Sequence, residues 1–143
     1  MIFASMSNYR NIKAWQRARA LSRRVHLLLR KLPIEERIQR GPHITKTATQ
    51  IRVAIVEGSS HQSPRQFARF LTYAIGSADE LGDEFQELVD IELMPLEDRD
   101  LPDECHQIAA MLVDFRKVVL RNKSESQRPK PRNEEPSNRE RGA

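Results

Sequence analysis

Glycine, cysteine and aromatic residues are all scarce in this chain of 143 residues: five glycines, one cysteine, and 6% Phe, Trp and Tyr. A β-sandwich needs more turn glycines and more β-branched runs than this chain has, so the composition favours an all-helical domain. The single cysteine, Cys105, cannot close an intrachain disulfide, and nothing argues for an oxidising compartment. No apolar run approaches the ~20 residues of a membrane-spanning helix, and the opening MIFASMSNYR is too weakly apolar for a secretory signal. The expected location is the cytoplasm, with no membrane partner.

What the chain has in quantity is charge, at 31% Asp, Glu, Lys and Arg and a net of +4. It is unevenly spread. Residues 1–34 carry eight Lys and Arg and no acid, whereas residues 79–104 carry twelve acids against one base, Arg99. The length allows one domain with one hydrophobic core.

Four amphipathic segments follow from the spacing of apolar residues. The first runs about Asn11–Leu32, with Trp15, Ala18, Ser22, Val25, Leu29 and Leu32 on one face, widened by Leu21 and Leu28. Asn11 is its expected N-cap and Pro33 its stop. A polar connection through Gly41-Pro42 leads to a second helix, about His43–Gly58, with Ile44, Ala48, Ile51 and Ile55 inward and Gly58 as a left-handed C-terminal residue. The third, about Pro64–Leu93, is announced by Ser63 as N-cap, Pro64 in the first turn and Gln66 at the capping-box position. It would span ~45 Å. Its interior Gly76 and Gly82 each cost about 1 kcal/mol against alanine, which the close approach of another helix would justify. The fourth begins near Pro102 and places Cys105, Ile108, Leu112, Phe115 and Val119 on one face.

The fold expected is all-α: an antiparallel up-down four-helix bundle over residues 11–121, preceded by an extension, 1–10, and followed by a disordered polar tail, 122–143. The tail's bases and acids nearly balance, so it reads as a solvating segment before a nucleic-acid arm.

Enzymatic chemistry finds no support in the motifs. The chain contains no Glu-x-x-His motif of the di-iron bundles, no phosphate-cradling glycine loop and no nucleophile elbow. Cys105 lies on the apolar face and reads as a small core residue. Glu57 and His61, four apart, straddle Gly58 and the following turn, and read as a cap or surface contact rather than a catalytic pair. The expectation is a non-enzyme with no cofactor, no metal and no evident small-molecule substrate.

Two binding readings compete for the charges. Arg10, Arg17, Arg24 and Lys31 recur every seven residues, at ~10 Å intervals along the first helix, broadened by Lys13, Arg23 and Arg30. This stripe could hold nucleic-acid phosphates without reading sequence. The aromatics are too few to favour single-strand recognition by stacking. Alternatively the stripe pairs, between subunits, with Glu80, Asp83, Glu84, Glu87 and Asp90 on the third helix. Helices one and three are diagonal in such a bundle, so that contact is heterologous and suits a ring. Phe70, Tyr73 and Met111 are candidates for its apolar contacts.

The ordered set YRNIKAWQRA, IVEG, SPRQFARFL and GSADEL resembles the four-helix bundle proteins encoded within intervening sequences of bacterial 23S ribosomal RNA genes. The resemblance covers about residues 9–120 and is carried by Trp15-Gln16, Glu57-Gly58, Ser63-Pro64, Phe67, Phe70-Leu71, Gly76-Ser77 and Glu80-Leu81. It implies a homo-oligomeric ring, five-fold in that family, and a link to RNA through where the genes lie. Arg52 and Ala54 stand where the family carries proline and asparagine, and Thr45-Lys46 where it carries a basic pair. The expected function is therefore a non-enzymatic, self-assembling bundle that binds RNA or a nucleic-acid-handling protein. The alternative is a scaffold with no nucleic-acid role.

Overall fold

The structure, a computed structural model, describes the backbone of residues 8–126 and the side chains of residues 8–122. Residues 8–11 form a 3-10 turn that leads into helix α1, Lys13–Lys31. Asn11 lies within that turn and is not the N-cap. The position falls to Ile12, which has no side-chain cap, and the Gln16 amide instead donates to the Arg10 carbonyl at 2.8 Å.

Helix α2, Ile34–Ser59, begins nine residues earlier than the apolar spacing implied. Gly41-Pro42 is no connection: the helix runs through it. Pro42 lacks an amide proton, but Pro42 and Ile38 both face solvent, where the Ile38 carbonyl left without its helical donor is accessible to water. The start was marked by Glu35 and Glu36, acids in the first turn behind Pro33, whose charge suits the helix dipole. Arg37 fastens the turn by donating from Nε to the Leu29 carbonyl at 3.0 Å, and from Nη2 to the carbonyls of Arg30 and Leu32. Gly58 is inside α2 and is not left-handed. Its lack of a side chain serves packing: a Cβ there would stand 2.8 Å from both the Phe67 ring and the Phe70 Cβ.

Helix α3, Pro64–Asp90, starts as its signature demands, with the Gln66 amide donating to the Ser63 hydroxyl at 3.2 Å. It ends three residues before the expected Leu93. Glu92 takes the left-handed conformation, φ 63°, and the Leu93 amide closes back on the Leu88 carbonyl at 2.9 Å. A 3-10 turn at Leu96–Asp98 precedes helix α4, Leu101–Ser126. The expected polar tail begins at 122, but its first residues continue α4 to Ser126; the remainder lies outside the described residues.

Contacts between neighbours set the topology. Leu29 faces Arg37 and Ser22 faces Arg52 across α1 and α2; His43 meets Glu80 across α2 and α3; Thr72 meets Arg116 across α3 and α4; Arg17 meets Glu104 across α1 and α4. In every pair the chain directions oppose, as in an up-down bundle, and α1 lies diagonal to α3. One core fills the centre, with Leu21, Leu28, Ile44, Ile51, Ile55, Phe67, Leu71, Leu81, Phe85 and Ile108 each at most 2% exposed. Phe70 and Phe115 are only half-buried. Cys105 is wholly buried, and that burial pushes its thiol up to about 12, which leaves it a core residue without thiolate chemistry at neutral pH.

Candidate nucleic-acid interface

The cations of α1 do not form one stripe. At 100° per residue they fall on two edges roughly 120° apart, Lys13, Arg17, Arg24 and Lys31 on one and Arg19, Arg23 and Arg30 on the other, while Arg10 lies in the 3-10 turn before the helix. The first edge faces α4 and the chain leading into it. Arg17 makes a two-pronged bond to Glu104, Nη2–Oε1 2.6 Å and Nε–Oε2 3.0 Å. Arg24 does the same with Asp100 at 2.7 and 2.8 Å, and also reaches Asp98. Lys31 bonds Asp98 and Glu97 at 2.9 and 3.0 Å. Asp98 is 6% exposed, so Arg24 and Lys31 together compensate a buried carboxylate. The bonds to Asp100 raise Arg24 further above its ordinary range and hold the Asp100 carboxyl below its own. This clasp ties α1 to α4 and uses the cations that the seven-residue period singled out. Beyond it, Arg10 lies over the Tyr9 ring, and Lys13 borders a cleft with Met111 and Phe115.

The second edge has no such partners. Arg19 and Arg23 line a trough of about 580 Å³ between α1 and α2, with Arg52 of α2 on the opposite wall and His26 beside them. Trp15 forms its back, 8% exposed, with the Arg19 guanidinium 5.8 Å from the ring centre and Tyr9 packed edge-on behind at 5.1 Å. Among the described residues none of Arg19, Arg23, Arg30 and Arg52 meets a carboxylate. Arg52 makes only a long contact to the Ser22 hydroxyl, 3.4 Å. The trough continues past Ser22, His26 and Arg52 into a smaller recess lined by Thr45 and Thr49. Leu27 and Trp15 make much of the lining apolar, and the guanidinium and hydroxyl donors along it, with no acid among the lining residues, suit phosphate oxygens.

Arg19 and Arg52 were absent from the sequence-derived site. The signal for Arg19 was present: Arg19, Arg23 and Arg30 keep i, i+4, i+11 spacing, on an edge about 120° from the clasp. Arg52 joins them only through the packing of α1 on α2.

The acids of α3 are also partly engaged within the subunit. Glu80 and Glu84 lie 3.0 and 3.5 Å from His43 Nε2, and Glu87 3.4 Å from Arg40. Asp79 and Asp83 flank His106, and Asp90 accepts from the Gln86 amide. Gly82 is explained by the same contact, since a Cβ there would stand 2.7 Å from the His106 ring. Gly76 meets nothing within 4 Å. No group of three or more His, Cys, Asp or Glu among the described residues could hold a metal ion, and no described helix is long and apolar enough to cross a membrane.

No curated protein matches the chain. The family model described as 23S rRNA-intervening sequence protein does match, over residues 10–114, which span α1 to α3 and the first half of α4, and the chain belongs to that family.

Proposed function

We propose that the protein is a non-enzymatic bundle that holds the phosphate backbone of RNA along the α1–α2 trough. The observation that carries this reading is the contrast in pairing: Arg19, Arg23 and Arg52 converge with no carboxylate partner among the described residues, while Arg17, Arg24 and Lys31 are held by acids of their own subunit. Unpaired guanidinium groups can exchange counterions for phosphate at little cost. Binding supplied that way is tolerant of sequence and weakens steeply with salt.

The test is fluorescence anisotropy of labelled structured RNA and duplex DNA, titrated with nuclease-treated protein at low and near-physiological salt. Micromolar binding at low salt that weakens as salt rises supports the reading. No binding at low salt sinks it.

A second reading, self-assembly, is favoured by a different observation. Ile34, Ile38, Ile91 and Leu96 are all 46% exposed or more and lie at one end of the bundle, where α1 turns into α2 and α3 leads to α4. Apolar side chains gathered at one end suit contact with another copy, in a ring of five by family resemblance. Pairing of the basic and acidic stripes between subunits is less suited to that role, because three of the required cations are bonded at home. Light scattering of the wild type against Ile38→Ser/Leu96→Ser tests the assembly. A multimer that falls to monomer supports it, and an unchanged mass assigns the interface elsewhere.

A further inference from the structure

On the other side of α2 lies a second groove, of about 590 Å³, between the C-terminal half of α2 and the first turns of α3. Its chemistry differs from the trough. Three aromatic rings meet there. His61 stacks on Phe70 with ring centres 5.2 Å apart and planes 22° from parallel, and Tyr73 stands 54% exposed one turn further along α3. Gly58 makes this possible, because Phe70 approaches α2 where a Cβ would stand 2.8 Å away. Around the rings are Gln50, Glu57, Gln66 and Arg69, and none of their side chains makes a hydrogen bond or ion pair among the described residues.

We infer that this groove takes an unpaired nucleobase, stacked on the Tyr73 and Phe70–His61 rings and hydrogen-bonded at its edge by the amide and carboxylate groups of Gln50, Gln66 and Glu57. Amides present a donor and an acceptor side by side, as base edges do, and aromatic faces accept any base. Arg69 at the rim suits the phosphate that follows. The inference deepens the RNA reading and rests on it. Arg52 and Val53 are consecutive on α2, one in the trough and one in this groove, so a single strand crossing the exposed face of α2 reaches both. The scarcity of aromatics in the sequence argued against stacking; the fold gathers the few needed at one place.

The experiment uses the full chain and two probes. One is a short single-stranded RNA carrying a fluorescent adenine analogue, alongside an RNA duplex of the same sequence. The other is free nucleoside monophosphates, followed by NMR at the His61 and Tyr73 rings. The expected result is quenching of the analogue on binding, and a roughly tenfold loss of single-strand affinity in Tyr73→Ala, the worth of one stacked base. Duplex affinity stays unchanged. Arg23→Glu/Arg52→Glu weakens both RNAs. Ring shifts confined to this groove on adding the monophosphates support the inference even if the trough fails to bind RNA. Single-strand affinity unaffected by Tyr73→Ala, with no ring shifts, overturns it and leaves the trough reading standing. A change of assembly mass in Tyr73→Ala with no ring shifts also overturns it, and gives the groove to a second copy.

Discussion

The two cationic edges of α1 have the same residue types and opposite circumstances. Arg17, Arg24 and Lys31 spend their charge within the fold, on Glu104, Asp98, Asp100 and Glu97. Among the described residues Arg19, Arg23 and Arg30, a third of a turn away, meet no carboxylate, and Arg19 and Arg23 border the trough completed by Arg52. Regular spacing along a helix shows that charges share an edge; what that edge packs against decides whether they are structural or available. Two glycines of α3 repeat the contrast. Gly82 is filled by His106, whereas Gly76 meets nothing.

The comparison breaks most severely at Asp98. Asp98→Lys places a third cation against Arg24 and Lys31 in a buried position, and a loss of about 3–5 kcal/mol is expected by urea unfolding. Arg24→Ala removes one of the two cations that compensate Asp98, and should cost about 1–2 kcal/mol with RNA affinity unchanged, as read by melting and anisotropy together. The glycines sharpen the contrast with unequal gains. Gly76→Ala should stabilise by about 0.5–1 kcal/mol, the ordinary gain of alanine in a helix. Gly82→Ala should gain less than Gly76→Ala, because the added Cβ displaces the His106 ring from its exposed contacts with Asp79 and Asp83, worth about 0–1 kcal/mol each. Chemical denaturation of the two variants side by side decides it.

The smallest effect is that of pH. The Arg24 bond depresses the folded-state pKa of Asp100, so its contribution is complete above the unfolded value of about 3.9 and is lost as pH falls through the lower folded value. Acid melts should show this loss below about pH 4 in the wild type, and a smaller one in Arg24→Ala.

The core and the start of α3 were legible in the sequence because each rests on local rules: apolar residues at three-four spacing, and Ser63-Pro64 with Gln66 as a cap. The start of α2 was also written, in Pro33, Glu35 and Glu36, but Gly41-Pro42 reads as a break unless one knows that it lies on the solvent side. The role of Gly58 depends on Phe67 and Phe70 arriving from the next helix, which no local pattern states. The site was the least legible part. The seven-residue period of Arg10, Arg17, Arg24 and Lys31 is real, but its partners on and before α4 follow from tertiary packing, as does the meeting of Arg52 with Arg19 and Arg23.

The most direct test of the account sets the two edges against each other in one RNA titration at low salt. Arg23→Glu/Arg52→Glu should lose most of the affinity and lower the salt dependence by about two phosphate contacts, with the melting temperature little changed. Arg24→Gln/Lys31→Gln should lose stability and keep its RNA affinity. The reverse pattern, binding lost with the clasp and kept without the trough arginines, would contradict the account.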